Sequence, residues 1–171
     1  FDGNSLAVGA DGSVLAALPA FEEATATVDP FDADPLGDSP NKTTPDRATE
    51  AREAISLGIA DYFRKTGFSE AIVGLSGGID SSVAAALAVD ALGAENVYGL
   101  SLPSTVTSEE SVTDARGLAA NLGIEFDVVP IGAATEELER AIEEGAGTRV
   151  GGIAAENTQA RLRGDVLMAV A

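Results

Sequence analysis

The stretch AIVGLSGGIDSSVAAALA, residues 71–88, decides the fold. An apolar run, AIVGL, precedes the glycine pair Gly77 and Gly78, and an alanine-rich run follows it. The first run predicts a short strand that is buried on both sides, and the second predicts a helix, because alanine favours helices. Asp80 adds one carboxylate to the turn. The turn is therefore either a phosphate-binding loop or a tight connection between two buried elements.

The strand and helix order repeats after this stretch. VYGLSL (97–102) and EFDVVPI (125–131) predict strands, and SEESVTDARGLAANLG (108–123) predicts a helix between them. Thr107 and Glu110 have the spacing of a capping box at the start of that helix. Its apolar face comprises Val112, Ala115, Leu118, Ala119 and Leu122.

These short connections predict an α/β fold, a Rossmann-like parallel sheet with helices on both faces. Right-handed crossovers follow from the handedness rule, and the ligand crevice is expected at the carboxyl ends of the strands. Two further helices are predicted near ATEELERAIEEG (134–145) and from about Ala155 to the end of the chain.

The region before the stretch divides into three parts. Residues 1–29 predict short strands, SLAV and SVLAAL around Asp11-Gly12 and then TATV. Residues 30–45, rich in Pro and Asp, predict a linker. Residues 46–67 predict a helix that ends at Gly67 and opens a second domain, which covers residues 46–171.

Composition excludes several classes of protein. Of the 171 residues 45% are hydrophobic and 22% charged, so we expect a globular chain, and no apolar run approaches the length of a membrane span. The chain has no cysteine and no histidine, which removes disulfides, thiolate or histidine metal sites and histidine-based catalysis. No signal-like N-terminus is present, so the expected compartment is the cytoplasm. A chain of this length is either one domain or a fragment that spans parts of two.

Acidic residues outnumber basic residues by 28 to 10, which gives a net charge of −18. Such a field repels a nucleic-acid backbone, so nucleic acid is not expected as a partner. The acids are spread along the whole chain rather than gathered in a tail. The surface is either that of an ordinary acidic protein or one adapted to high salt, where screening removes the self-repulsion.

The turn after the first strand has the residues of an anion site. A helix N-terminus presents unpaired N–H groups, the two glycines allow close approach, and Ser76, Ser81 and Ser82 offer hydroxyl donors. Asp80 would repel a phosphate unless a divalent cation lay between them, which indicates a metal-chelated phosphate. The alternative is that Asp80 only caps the helix and that the turn binds nothing. No Walker A lysine is present.

SGGIDSS after an apolar strand resembles the pyrophosphate loop of the ATP pyrophosphatases, which split ATP into AMP and pyrophosphate. The resemblance implies that ATP binds the loop with Mg²⁺ and that Asp80 is the metal ligand. The ATP-binding residues that it implies are Gly74, Leu75, Ser76, Gly77, Gly78, Ile79, Asp80 and Ser81.

Two other stretches resemble the NAD synthetases within that group. LGAENVYGLSLPSTVTSEESVTDARGLAANLGIEFDVVPI (92–131) is similar to their second strand and helix, although PST at 103–105 departs from members with Arg or Lys after PS. AAENTQARLRGDVLMAVA (154–171) resembles the helix that these enzymes write as ENIQARIRM. Asn157 and Arg161, which are i and i+4, then correspond to positions that contact deamido-NAD. Without the resemblance, the same helix reads as a packing element whose Arg161 and Arg163 are solvated.

Residues 1–29 resemble the closing strands of the nitrilase-like glutaminase domain of glutamine-dependent NAD synthetases. The resemblance implies an enzyme that amidates deamido-NAD to NAD through an adenylated intermediate, with ATP as co-substrate and ammonia supplied by glutamine. None of the implied site residues acts as a general acid or base. The resemblance to these enzymes also implies that the protein is a homo-oligomer.

Two alternatives stay open, an ammonia-only NAD synthetase and an ATP-binding module of the same fold that does not turn ATP over. The chain stops before the GNKSE-like segment of the family, so we expect the isolated chain to be inactive or very weak.

Overall fold

The computed structural model describes residues 3–29, 31 and 46–171. The chain divides into two compact units, Phe1–Gly58 and Ile59–Ala171. No helix within the described part is long and apolar enough to cross a membrane. The linker predicted over residues 30–45 falls, apart from Phe31, outside the described residues, and the predicted domain limits stay a prediction.

The first unit contains a hairpin of β1 (Leu6–Val8) and β2 (Val14–Ala17), paired antiparallel. Its turn uses Gly12 at φ +87°, a left-handed conformation that suits glycine. The strand predicted over TATV is wrong, because residues 25–28 have no regular secondary structure and no described strand pairs with them.

Helix α1 (Arg47–Thr66) confirms the predicted helix. The Asp46 carboxylate caps its N-terminus by accepting from the N–H groups of Ala48 at 2.9 Å and Thr49 at 3.1 Å. Gly67 ends it at φ +79°, where its N–H donates to the Phe63 carbonyl oxygen, as a C-cap glycine is expected to do.

The second unit has the predicted α/β architecture. Its three strands pair in parallel in the order β3-β4-β5, with Ala71 opposite Val97 and Tyr98 opposite Glu125. In chain order the elements are β3 (Ala71–Gly74), α2 (Ile79–Leu92), a short 3-10 helix (Ala94–Asn96), β4 (Val97–Ser101), α3 (Glu109–Leu122), β5 (Glu125–Val128), α4 (Gly132–Ala146) and α5 (Ile153–Val170).

Helices cover both faces of the sheet, because successive strand side chains point to opposite faces. One face packs against the alanines of α2 and α3, whose small side chains let the helices approach; its buried residues are Leu75, Ala85, Ala88, Val97, Ala115, Ala119 and Ile124. The other face packs against α5 through Leu100, Leu102 and Ile131, with Leu162, Val166 and Leu167 of the helix against them. The predicted class of fold is therefore confirmed.

The capping box predicted at Thr107 and Glu110 is wrong by one residue. Ser108 is the N-cap of α3, and its hydroxyl oxygen accepts from the N–H of Ser111 at 3.2 Å. The Thr107 hydroxyl accepts from the N–H of Ser104 at 3.0 Å instead. Two consecutive hydroxyl residues fit the same cap, and only the preceding turn decides which of them is used.

Candidate functional site

The candidate site lies where β3 ends and α2 begins. The eight residues predicted to bind ATP, 74–81, run from the last residue of β3 to the first turn of α2, at the carboxyl edge of the sheet. Ligand crevices of open parallel sheets lie at that edge. We refer to Ser76–Ser82 as the β3–α2 loop.

Gly77 and Gly78 of the β3–α2 loop have different backbone conformations. Gly77 is left-handed at φ +80°, whereas Gly78 is extended at φ −88° and ψ 161° and serves as the N-cap of α2. No side chain caps this helix. Its first N–H groups are therefore free for an anion, which the helix dipole also stabilises.

Serine hydroxyls hold the β3–α2 loop closed in a small network. The Ser81 hydroxyl oxygen accepts from the N–H of Ser76 at 3.2 Å, lies 3.1 Å from the Ser76 hydroxyl and donates to the Gly78 carbonyl oxygen at 3.0 Å. The Ser82 hydroxyl donates to that carbonyl at 2.9 Å. An incoming phosphate would exchange some of these bonds for bonds to its own oxygens.

Asp80 is exposed in the first turn of α2 and is not the N-cap, so the cap-only alternative does not describe it. The described residues contain no group of three or more acidic side chains that could hold a metal alone. A single carboxylate beside a phosphate loop nevertheless fits Mg²⁺, which keeps several waters and is held by one or two carboxylates together with substrate phosphates.

A cleft of about 270 Å³ adjoins the β3–α2 loop. Its walls come from the ends of β3 and β4, the segment after β4, and α5. The lining is mostly apolar with a few polar groups: Gly74, Leu75, Ser76, Leu100, Ser101, Leu102, Pro103, Thr107, Arg163 and Leu167. An apolar cleft next to an anion site suits a ligand with a flat base at one end and phosphates at the other.

Asn157 and Arg161 lie on the exposed face of α5 and do not line this cleft. The structure thus brings residues 74–76 of the predicted set to the cleft and leaves these two apart from it. Their predicted contact with a dinucleotide stays a prediction.

Arg163 lines the cleft, whereas the interpretation of this helix as a mere packing element treated it as solvated. Its Nε donates to the Leu102 carbonyl oxygen at 3.1 Å. The signal in the sequence is its position, since an arginine that falls within the apolar stripe of Leu162, Val166 and Leu167 points toward the sheet.

The family model and the relatives that match this chain all indicate the same family. The family model described as NAD synthase matches residues 51–171. The glutamine-dependent NAD(+) synthetase of Synechocystis sp. is 42% identical over 173 residues, which cover 100% of this chain and 31% of that protein. The chain therefore spans about a third of the length of this relative.

Solved structures agree in fold. The glutamine-dependent NAD+ synthetase from Acinetobacter baumannii, in complex with ADP, superposes with a TM-score of 0.80 at 29% identity, over 99% of this chain and 32% of that one. The NH3-dependent NAD synthetase from Campylobacter jejuni, in complex with nitrate, gives a TM-score of 0.62 at 27% identity, over 71% of this chain and 51% of that one.

Proposed function

Because the chain belongs to the NAD synthase family, we propose that it acts in the ATP-dependent amidation of deamido-NAD to NAD. The observation that carries the proposal is the β3–α2 loop, which presents the uncapped N-terminus of α2 beside an apolar cleft. The relative from A. baumannii, which matches nearly the whole chain, binds ADP. We therefore assign the cleft to the nucleoside of ATP and the loop to its phosphates.

The first step is the transfer of AMP to the nicotinate carboxylate. The carboxylate attacks the α-phosphorus of ATP, the bond from that phosphorus to the bridging oxygen breaks, and pyrophosphate leaves. This step is opposed by charge repulsion, because the nicotinate carboxylate must approach the triphosphate of ATP. Preorganised hydrogen-bond donors at the leaving pyrophosphate lower the barrier. The free N–H groups of α2 and the hydroxyls of Ser76 and Ser81 would hold the pyrophosphate.

Asp80 would hold Mg²⁺ against the phosphates. When bound, the ion supplies positive charge that offsets the charge of the leaving group. The contribution of this chain is then to keep one carboxylate of the β3–α2 loop exposed, at the start of α2.

In the second step the nitrogen of ammonia bonds to the carbonyl carbon, the bond from that carbon to the AMP oxygen breaks, AMP leaves, and one proton is released to water. Ammonia carries its own lone pair, and none of the assigned residues has to act as a general base, which suits a chain without histidine. Asn157 and Arg161 would orient the nicotinate end of the substrate, a proximity contribution. Their spacing of four residues, which places both side chains on the exposed face of α5, supports this assignment.

We assign glutamine as the source of the ammonia. The glutamine-dependent enzymes of Synechocystis sp. and A. baumannii match 100% and 99% of the chain, the hairpin of β1 and β2 included, whereas the NH3-dependent enzyme from C. jejuni matches 71% of it. The 171 residues contain no cysteine, so a cysteine nucleophile for glutamine hydrolysis is not among them. We also propose a homo-oligomer in the cytoplasm.

The test is product analysis with the full-length gene product, ATP, Mg²⁺ and deamido-NAD. We expect NAD, AMP and pyrophosphate in equal amounts with either glutamine or ammonium as nitrogen source. Formation of NAD with ammonium but not with glutamine would support the ammonia-only alternative. Binding of ATP without any product would support the ATP-binding module. Light scattering of the same sample reports the oligomeric state.

A further inference from the structure

Arg163 and Arg161 face opposite ways on α5. Arg163 is half-buried and lines the cleft together with Leu167, four residues further along the helix, so these two share one face. Arg161 is exposed. One helix therefore contributes one arginine to the cleft and presents the other to solvent.

The Arg163 guanidinium ties α5 to the segment that follows β4. Its Nε donates to the Leu102 carbonyl oxygen at 3.1 Å, and an Nη atom lies 3.5 Å from the Ser104 hydroxyl oxygen. The first contact joins residues 61 positions apart in the chain. We call residues 102–107 the cleft wall, because Leu102, Pro103 and Thr107 line the cleft.

The cleft wall also has hydrogen bonds that do not involve α5. The Thr107 hydroxyl accepts from the Ser104 N–H at 3.0 Å, and the Pro103 carbonyl oxygen accepts from the Ile131 N–H at 2.8 Å. The first closes the wall on itself, and the second fixes it to Ile131, the N-cap of α4. Arg163 adds a hydrogen bond to the wall from α5.

Arg163 uses its charge on neutral acceptors. Within residues 3–29, 31 and 46–171, its guanidinium has no carboxylate partner, whereas Arg64 and Arg140 pair with Asp61 and Glu137 on the surface. A chain with 28 acidic residues offers many partners, yet this arginine is placed against a carbonyl and a hydroxyl. Hydrogen bonds from a charged donor are stronger than those between neutral groups, so the bond from Arg163 Nε to the Leu102 carbonyl oxygen is stronger than a neutral one.

We propose that Arg163 is a positioning residue for ATP: it holds the cleft wall at the separation from β3 and α5 that accepts the nucleoside. This inference rests on the proposed function, which assigns the cleft to ATP. Arg163 acts through Leu102 and Ser104, so its loss changes the shape of the nucleoside site and leaves the β3–α2 loop in place.

The experiment compares Arg163→Ala and Arg163→Lys with the wild type, all as the full-length gene product. We expect Arg163→Ala to raise the KM for ATP about tenfold, the size expected when a charged hydrogen bond is lost. The KM for deamido-NAD should stay within about twofold, because the ATP cleft alone is altered. Arg163→Lys should have a KM for ATP between those of the wild type and Arg163→Ala. An ammonium group can donate to one of the two acceptors, whereas the planar guanidinium reaches both.

Arg140→Ala is the matched control, because it also removes one guanidinium but from an exposed pair on α4; its KM values should equal those of the wild type. If Arg163→Ala fails to fold by thermal melting, Arg163→Lys carries the test. A folded variant with unchanged KM for ATP, or with both KM values raised equally, overturns the proposal.

Calorimetric titration with ATP separates this proposal from the proposed function. A wild type that makes no NAD would reject the function. Binding of ATP about tenfold weaker in Arg163→Ala would still support the positioning role, and equal affinities would overturn it.

Discussion

Gly77 and Ser111 are in such close contact that a Cβ atom at position 77 would lie 2.4 Å from the Ser111 carbonyl oxygen. The β3–α2 loop therefore rests directly on the first turn of α3. Gly77 is also left-handed at φ +80°, a conformation that L residues rarely adopt. Space and backbone conformation both require glycine at this position.

Gly77→Ala should destabilise the protein by about 2 kcal/mol or more, because backbone strain and overlap with backbone atoms add. It should also abolish ATP binding, since relief of the overlap must displace the loop from α3. Urea unfolding and ATP titration measure the two effects. Gly117→Ala is the control: position 117 lies inside α3 with open space around it, so alanine should stabilise by up to about 1 kcal/mol. Equal stability of the two variants would contradict the close contact.

Asp80→Asn should remove most Mg²⁺-dependent formation of AMP and pyrophosphate while leaving the fold intact, because Asp80 is exposed. A loss of about a hundredfold or more in kcat is expected for a lost metal ligand. Asp114→Asn, an exposed carboxylate on α3, changes the net charge by the same amount and should be as active as the wild type. Normal Mg²⁺ dependence in Asp80→Asn would rule out the proposed role.

Arg161→Gln should raise the KM for deamido-NAD by about tenfold and leave the KM for ATP unchanged, the reverse of the pattern expected for Arg163. The reason is its place on the exposed face of α5, apart from the cleft. Steady-state kinetics with each substrate varied in turn provide the measurement. A rise in the KM for ATP alone would show that the two arginines have been assigned the wrong way round.

Tyr98→Phe should lower the free energy of unfolding by an amount that depends on pH in the alkaline range. The Tyr98 hydroxyl on β4 donates to the Asp127 carboxylate on β5, and this bond raises the pKa of Tyr98 above its ordinary value of 10.0. The unfolded chain then loses the phenolic proton before the folded one does, so the stabilisation is complete below pH 10 and is lost as pH rises through the folded pKa.

Urea unfolding of the wild type and Tyr98→Phe measures this effect. Their difference in unfolding free energy should be constant from about pH 6 to pH 9 and shrink above about pH 10. A difference in unfolding free energy that is the same below pH 9 and above about pH 10 would show that the bond between Tyr98 and Asp127 is absent in solution.

Salt should stabilise the protein. With a net charge of −18, repulsion among carboxylates opposes the folded state, and molar KCl shortens the Debye length to about 3 Å. We expect a higher midpoint of thermal unfolding in molar KCl than in dilute buffer. The same midpoint in both would identify an ordinary acidic surface.

The sequence predicted the second unit well because its signals are local and agree with one another. Apolar runs at 71–75 and 97–101 became strands, and the apolar stripe of 112–122 became the buried face of α3. The β3–α2 loop was also predicted, since glycines and serines between a strand and a helix permit few arrangements.

The remaining features depend on contacts between distant residues. The cap of α3 is Ser108 rather than Thr107 because a turn at Ser104 uses the Thr107 hydroxyl. The TATV strand needed a partner that the described residues do not supply. The role of Arg163 depends on Leu102, 61 residues away, and no local pattern predicts such a pairing.

The opposed faces of α5 also bear on how this chain can be altered in the laboratory. Each residue added or removed turns the rest of a helix by about 100°, so a deletion at Leu162 would move Arg163 out of the cleft relative to Arg161. A single substitution in α5 keeps the other side chains on their faces, whereas a change in the length of the helix does not. Tags, reporter insertions and new chain ends belong instead in the exposed turn at 147–152, where Gly147 and Gly152 have positive φ.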